Sequence, residues 1–421
     1  VAALFIRQYL IEPYKIPTGS MAPTLRGIHR DIRCPGCKTV YETGCEDASE
    51  FGEFPASDGR NEASCPTCGT RVLVGSAPLR RGDKILANKL VYLLRSPRRW
   101  EVVVFHYAAE NKTYIKRLAG LPGEKLEIRH GDLYINDRIT QRPPEVLDAM
   151  RVRVYDLDRD APAVSGERWR YDPGGVRREG RSYLVTSSAW TDLSYLGEIR
   201  DWLCYNDWSK ASDSRLVPVG DLRVTLECEV PAGAGVGCEI REDDHVFRWT
   251  LGEGGKGFEH DLRIVPERRS PLPLLAPGRH RLVFSNIDDV QTLDVDGREV
   301  LRTAMPSTEA EGTPASGVRV LGHGGLRVLG LVIERDSAYS QEGVGGQGRP
   351  ILVPPGRYFF LGDNSLISKD SRKWSTWNAT GYAASSTVAE ADIQGRAFLA
   401  IGHLDWPWAV PYSELTCKWI R

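Results

Sequence analysis

Thr113-Tyr114-Ile115-Lys116-Arg117-Leu118-Ala119-Gly120-Leu121-Pro122-Gly123-Glu124 sets two adjacent cations inside an apolar run that closes on Gly-Leu-Pro-Gly. The run is predicted to be a strand entering a tight turn. Lys116, between Ile115 and Leu118, has two fates open to it. Most lysines snorkel off a sheet edge and stay charged. A lysine held away from water instead favours its neutral form and can act as a base. Bringing its pKa from about 10.4 to about 7 costs on the order of 4–5 kcal/mol, so the fold must supply a crowded apolar pocket.

The extended pattern continues on both sides. Lys84-Ile85-Leu86-Ala87-Asn88-Lys89 and Glu101-Val102-Val103-Val104-Phe105 read as strands. Residues 125–141 read as a hairpin, with bends at Gly131-Asp132 and Asn136-Asp137. With 42 Gly, 26 Pro and many short Val/Leu/Ile runs, the class expected is mainly β.

Upstream lies Tyr14-Lys15-Ile16-Pro17-Thr18-Gly19-Ser20-Met21-Ala22-Pro23-Thr24-Leu25. Gly19 permits a sharp turn and a close approach by another chain segment, and Ser20 is presented on that turn. A lone serine is usually a solvated loop residue; the case for this one comes from the other blocks. Downstream stand Gly362-Asp363-Asn364-Ser365 and Ser368-Lys369-Asp370-Ser371-Arg372, and a further segment reads Arg81-Gly82-Asp83-Lys84. Together these segments resemble the boxes of type I signal peptidase, a membrane-bound Ser-Lys endopeptidase.

The resemblance implies Ser20 as nucleophile and Lys116 as general base. It implies that Thr18 donates its hydroxyl to the oxyanion beside the Ser20 N–H, that Ser368 orients the Lys116 ammonium, and that Asp370 and Arg372 form a supporting ion pair. Tyr14, Ile16, Met21, Leu25, Tyr114 and Ile115 match positions lining shallow apolar substrate pockets, which suit Ala-x-Ala-like cleavage sites. No cofactor is expected for catalysis. One departure is that Ser365-Leu366-Ile367 stands where the family usually has Arg-Asp-Asn, which puts the loop's local salt bridges in question. The segment 375–386 is also longer and more polar than the family pattern.

The chain has 421 residues, enough for about two or three domains. A net charge of −1 gives no electrostatic reason to expect nucleic acid. No stretch reaches the roughly 20 apolar residues that span a bilayer. The opening Val1-Ala2-Ala3-Leu4-Phe5-Ile6 reads either as an amphipathic helix on the core or as the trailing end of a membrane helix. The resemblance implies the second, with residues 1–14 as the end of an anchor in the plasma membrane and the catalytic domain on the extracytoplasmic side.

Nine cysteines include Cys34-Pro-Gly-Cys37 and Cys65-Pro-Thr-Cys68. Two Cys-x-x-Cys knuckles present four thiolates at structural-zinc spacing; disulfides are the alternative in an oxidising compartment. The 27 residues from 38 to 64 exceed the usual ribbon spacing, so the loop 42–63 should bulge out. Cys45, Cys204, Cys228, Cys238 and Cys417 follow no metal spacing and read as buried small hydrophobes.

The domain order expected is an anchor end at 1–14, a peptidase core at 15–27 and 77–144 resuming at 350–421, a zinc ribbon at 28–76, and an insert at 145–340. The insert has its own rhythm of short strands, as in residues 222–230, 280–284 and 292–297, and predicts a sandwich. It resembles concanavalin-like (laminin-G-type) jelly rolls, which implies a glycan or protein ligand. Asp288, Asp289, Asp294 and Asp296 read as turn-forming surface carboxylates or as a cation site. The insert is expected to fold independently and to contribute nothing to the dyad.

Three readings follow. The first is a membrane-anchored peptidase that removes signal peptides from preproteins. The second is a Ser-Lys peptidase with another substrate, and the third a surface glycan- or partner-binding protein on a peptidase scaffold.

Overall fold

The computed structural model describes residues 10–45, 62–75, 77–160, 162, 166–207, 216–262, 265–270, 272, 274–304, 315–374, 386–402 and 416–420. The mainly β class expected is what the chain adopts, with a two-sheet sandwich among its sheets.

One antiparallel sheet carries the segments singled out above. Its strands are β1 (Ile11–Lys15), β2 (Lys84–Asn88), β3 (Val102–Tyr107), β4 (Lys112–Gly120), β5 (Arg357–Leu361), β6 (Val388–Ala389), β7 (Ile393–Gly402) and β8 (Thr416–Trp419). Their order is β1-β2-β7-β3-β4-β5-β6, with β8 beside β7. Side chains alternate between faces along a strand, so β4 serves two cores. Tyr114 and Leu118 join Phe105, Tyr107, Phe360 and Trp374 on one side. Ile115 packs on the other with Ile16, Met21, Leu25, Ile85, Val102 and Val104.

The reading of 1–14 as the end of a membrane anchor is corrected over its last residues. Ile11–Lys15 pairs antiparallel with Lys84–Asn88 as the edge strand of the sheet. Pro13 is tolerated there because an edge strand can spare an N–H. Residues 1–9 lie outside the described residues, as do 46–61 of the expected bulge and 375–385 of the polar segment. Among the described residues no helix is long and apolar enough to cross a membrane.

Between the hairpin strands Lys125–Arg129 and Asp132–Ile135 and the return at Ile351–Leu352 lies the sandwich. Its eight-stranded sheet includes Leu222–Val230, Gly278–Ile287 and Arg327–Arg335; its seven-stranded sheet includes Gly235–Glu242, His245–Gly252 and Ser316–His323. Leu222–Val230 points every second residue inward, and the inner faces of both sheets share one core containing Trp169, Leu226, Trp249, Phe284, Val320 and Ile333.

The four carboxylates from 288 to 296 do not form one cluster. Asp294 does turn work, its Oδ1 accepting from Gly297 N at 2.7 Å, and Asp296 Oδ1 accepts across the strand pair from Arg281 N at 2.8 Å. Asp288 is instead 2% exposed and groups with Asp132 and Asp221. Of the cysteines read as buried hydrophobes, Cys45, Cys228 and Cys238 are buried; Cys204 is half-buried and Cys417 is exposed, so the reading fails for those two.

Candidate active site

Ser20 sits in a single 3-10 turn, Gly19–Met21, closed by Ala22 N donating to Gly19 O at 3.0 Å. The Gly82-Asp83 segment pins both ends of the loop. Ile16 N donates to Asp83 O at 2.8 Å, and Arg26 N donates to Asp83 Oδ2 at 2.8 Å. Asn364 holds the middle, its backbone N–H donating to Ser20 O at 3.1 Å and its side-chain Nδ2 to Gly19 O at 2.9 Å. Gly362 lies so close beneath that a Cβ on it would come within 2.5 Å of Ser20 O.

So held, Ser20 Oγ lies 2.5 Å from Lys116 Nζ. The ammonium form of Lys116 donates in this pair; the neutral amine accepts the Oγ proton. Lys116 is 2% exposed, and its Nζ stands 5.8 Å from the centre of the Tyr114 ring. Burial draws its pKa down to about 8 against the pull of Asp370 and Asp363, with Arg372 adding to the lowering.

Asp370 and Arg372 form a wholly buried pair, Arg372 NH2 to Asp370 Oδ2 at 2.6 Å and Nε to Oδ1 at 2.8 Å. Burial alone would push the Asp370 carboxyl up. Arg372, with its hydrogen bonds, the Gly362 N–H and Lys116 outweigh this and hold it below the usual carboxylate range. Ser365, in the segment that departs from the family pattern, takes up part of the missing bonding. Its Oγ accepts from Arg372 NH1 and from Ser340 N, each at 2.6 Å.

The other expected residues fall less uniformly. The Thr18 side chain is exposed at the entry of the turn and does not cap it. Ser368 Oγ is fully buried and has no hydrogen-bond partner, so the contact with Lys116 expected of it is not formed here. Ile16, Met21 and Leu25 are core residues, 5%, 1% and 0% exposed. Tyr14 and Ile115 are half-buried at the edge of that core, while half-buried Tyr114 packs on the opposite face of the sheet.

Sequence reasoning missed two features. Arg117, next to the expected base, is fully buried and grips Asp363 with Nε to Oδ1 at 2.7 Å and NH2 to Oδ2 at 2.6 Å; its NH1 donates to Trp100 O at 2.7 Å. The alternation of β4 was the available signal, since Lys116 and Arg117 must face opposite ways. The second feature corrects the expectation that the insert stays clear of the dyad. Tyr205 and Asn206 of the insert are 4% and 6% exposed beneath the Ser20 loop. The close approach that Gly19 permits is made by Tyr205, whose Cε1 would lie 2.2 Å from a Cβ at that position. No motif marked either residue.

Cys34, Cys37, Cys65 and Cys68 come together, their sulfurs all within 4.8 Å of one another. Cys34 to Cys68 and Cys37 to Cys65 are each 3.5 Å. Four thiols at this separation are placed to hold one metal ion: a tetrahedral site with Zn–S of about 2.3 Å puts its sulfurs about 3.8 Å apart.

The family model described as signal peptidase, peptidase S26, matches residues 74–175 and 290–401. These ranges take in Lys116, Ser368, Asp370 and Arg372 and begin beyond Ser20. Signal peptidase I of Rickettsia akari (strain Hartford) is 32% identical over 142 residues, 33% of this chain and 40% of that protein. Signal peptidase I of Bacillus caldolyticus is 35% identical over 65 residues, 15% of this chain and 35% of that protein. The chain thus spans about two fifths or less of the length of these curated relatives. Among solved structures, the CBM2 module of the evolved Dit of Lactobacillus casei BL23 phage J-1 aligns with 45% of this chain and 97% of its own, at 11% identity and a TM-score of 0.31. SCLam, a non-specific endo-beta-1,3(4)-glucanase, aligns with 52% of this chain and 97% of its own, at 10% identity and a TM-score of 0.31. At those scores nothing about this chain rests on them.

Proposed function

Since the chain belongs to the signal peptidase family, peptidase S26, we propose that it is a serine endopeptidase in which Ser20 is the nucleophile and Lys116 the general base. The observation that carries this is the 2.5 Å separation of Ser20 Oγ and Lys116 Nζ, with the lysine buried and its pKa lowered to about 8. Neutral Lys116 takes the Oγ proton as Oγ attacks the scissile carbonyl carbon. The Ser20 N–H and the Thr18 hydroxyl stabilise the oxyanion that forms. The Lys116 ammonium then protonates the departing amine, and a water molecule, deprotonated by the regenerated amine, hydrolyses the acyl-enzyme. Asp370 and Arg372 support the base from behind. Tyr14, Ile16, Met21, Leu25, Tyr114 and Ile115 shape the apolar recognition surface, the buried ones from beneath it.

The substrates proposed are preproteins carrying signal peptides, cleaved at the outer face of the plasma membrane. The test is the rate of preprotein cleavage against pH for the wild type and for Ser20→Ala, Lys116→Ala and Lys116→Arg. The wild-type rate should rise with pH through about 8. All three variants should be inactive: Ser20→Ala lacks the nucleophile, Lys116→Ala lacks the base, and in Lys116→Arg the guanidinium does not deprotonate. Near-normal activity of Lys116→Arg removes Lys116 as the base.

The Cys34, Cys37, Cys65 and Cys68 site is proposed to hold a structural zinc that takes no part in the chemistry. Zinc binding of this kind contributes roughly 10–16 kcal/mol in small peptides, enough to fold a ribbon with little core of its own. Metal analysis of protein purified under reducing conditions should give about one zinc per chain; four thiols paired as disulfides in metal-free protein would overturn this. By the same reading the chain divides into a peptidase core interrupted by the ribbon and by the sandwich.

A further inference from the structure

Within the sandwich insert, the chain leaves the strand Thr191–Tyr195 and makes a single 3-10 turn, Cys204–Asn206. The turn is anchored on three sides. Arg335 NH2, at the end of a sandwich strand, donates to Trp202 O at 2.7 Å, and Trp202 Nε1 donates to Asp207 Oδ1 at 2.9 Å. Asp207 Oδ2 accepts from Ser64 N at 2.5 Å, and Cys204 packs against the core formed by Ile32, Tyr41 and the four knuckle cysteines. The third side is the nucleophile loop.

Asn206 and Asn364 exchange two hydrogen bonds. Asn206 Nδ2 donates to Asn364 Oδ1 at 2.8 Å, and Asn364 Nδ2 donates to Asn206 Oδ1 at 2.7 Å. The second hydrogen of Asn364 Nδ2 goes to Gly19 O at 2.9 Å. The reciprocal pair alone would be met equally with both amides flipped together; the Gly19 carbonyl, which can only accept, selects the orientation shown, and Asn206 locks it by taking the other Asn364 Nδ2 hydrogen and donating to Oδ1. In that orientation the NH₂ group, not the carbonyl oxygen, faces the Gly19 carbonyl. Beside it Tyr205 fills the space next to Gly19, and its hydroxyl donates to Ile28 O at 3.3 Å.

We propose that the turn Cys204–Asn206 of the insert positions the nucleophile, Asn206 fixing the Asn364 amide that holds the Gly19-Ser20 backbone and Tyr205 supporting that backbone from below. This rests on the peptidase reading and deepens it, since the insert becomes part of what sets Ser20 Oγ against Lys116 Nζ. Asn206 and Tyr205 are positioning residues; neither touches the reacting atoms.

The test uses the full chain with Asn206→Ala, Asn364→Ala, the double variant, and Asn206→Asp, which is isosteric and can still accept from Asn364 Nδ2. A displacement of about 1 Å at a reacting group costs on the order of 100-fold in rate, so Asn206→Ala should lower kcat about 10- to 100-fold with KM unchanged. Asn206→Asp keeps the acceptor but sets an oxygen against Asn364 Oδ1, so it should lose at least as much as Asn206→Ala. The double variant should lose no more than Asn364→Ala alone, because both act through one contact. Hydrogen exchange of the Gly19–Ala22 amides should quicken in Asn206→Ala while the Leu222–Val230 strand stays protected. Additive losses in the double variant, or a folded Asn206→Ala with wild-type kcat and exchange, would overturn the inference. If wild type and Ser20→Ala are equally inactive, the peptidase reading fails instead. Exchange at 19–22 then decides the positioning role by itself, faster in Asn206→Ala if it stands and unchanged if it does not.

Discussion

Around Lys116 the fold buries two arginines with two carboxylates, Arg117 with Asp363 and Arg372 with Asp370, every one of them under 3% exposed. Where the hairpin of Asp132 meets the sandwich, it gathers Asp221, Asp288 and Asp336 with partly buried Asp132 around a single arginine, Arg142. Both places are withdrawn from water, yet their carboxylates behave oppositely. Asp370 is held below the usual range although burial pushes it up. Burial and then the Asp288 charge raise Asp221 to about 7, against the pull of Arg142. A buried charge thus keeps its ionisation when a partner of opposite sign is matched to it, and surrenders it where partners are too few. Lys116 belongs to both descriptions: it stands among matched pairs with no carboxylate bonded to itself, and its own pKa falls.

The largest effect is expected from unmatching a pair. Asp370→Asn leaves Arg372 buried without its counter-charge and should destabilise by about 3–5 kcal/mol, read as a lower denaturation midpoint. The same variant removes the charge that most strongly favours protonated Lys116. In any fraction that folds, the rise of cleavage with pH should therefore move below about pH 8.

Next comes the cost of the unmatched base. Lys116 has a folded pKa of about 8 against an ordinary value of 10.5, so between those values the unfolded chain binds the extra proton and stability rises with pH. Below pH 8 the whole penalty is present, roughly 3 kcal/mol at about 1.4 kcal/mol per unit. Lys116→Met should therefore raise the thermal midpoint at pH 7 while abolishing cleavage. An unchanged or lower midpoint would mean that the lysine is better solvated than its surroundings indicate.

Asp221 shows the smallest effect at low pH and a growing one above it. Its folded pKa is raised, so its contribution is fully present below about pH 4 and is lost as pH climbs through about 7. A neutral amide stands in for the protonated carboxyl, so Asp221→Asn should change stability little below about pH 4 and gain on the wild type as pH climbs through about 7. The difference should appear as a flatter dependence of stability on pH between 4 and 7. A variant that parallels the wild type across that range would show that the cluster is matched after all.

The parts legible in the sequence were those governed by local chemistry. Residues 113–124 read as a strand because the apolar run ends on Gly-Leu-Pro-Gly, and four cysteines in two knuckles announced a common centre whatever loop divides them. Arg117 and Asp363 were in plain view, but their pairing spans 246 residues and depends on which face each strand presents. Asn206 and Tyr205 lie in an undistinguished stretch, and only the docking of the insert gives them a role. Ile11–Lys15 misled because it follows the apolar opening that reads as an anchor, and nothing in its own five residues announces a partner strand that begins 69 residues after its end. Asp288 misled because a turn residue with φ of 49° ordinarily faces solvent, whereas this turn is pressed against the hairpin.

The order of the central sheet carries a consequence for how the molecule comes into being. Strand β7, Ile393–Gly402, lies between β2 and β3 and is the link that joins β1-β2 to the remainder of that sheet. On a ribosome, the segment bearing Ser20 emerges ahead of Lys116, and the strand that joins their halves of the sheet emerges well after both. Such distant pairings pay their loop-closure entropy before any contact rewards it, so folding should be slow. A nascent chain stopped short of residue 393 should leave β1-β2 apart from β3-β4 in the sheet, with only loop contacts such as that of Asn364 to set Ser20 against Lys116, and the pair should be fully assembled only when β7 closes the gap.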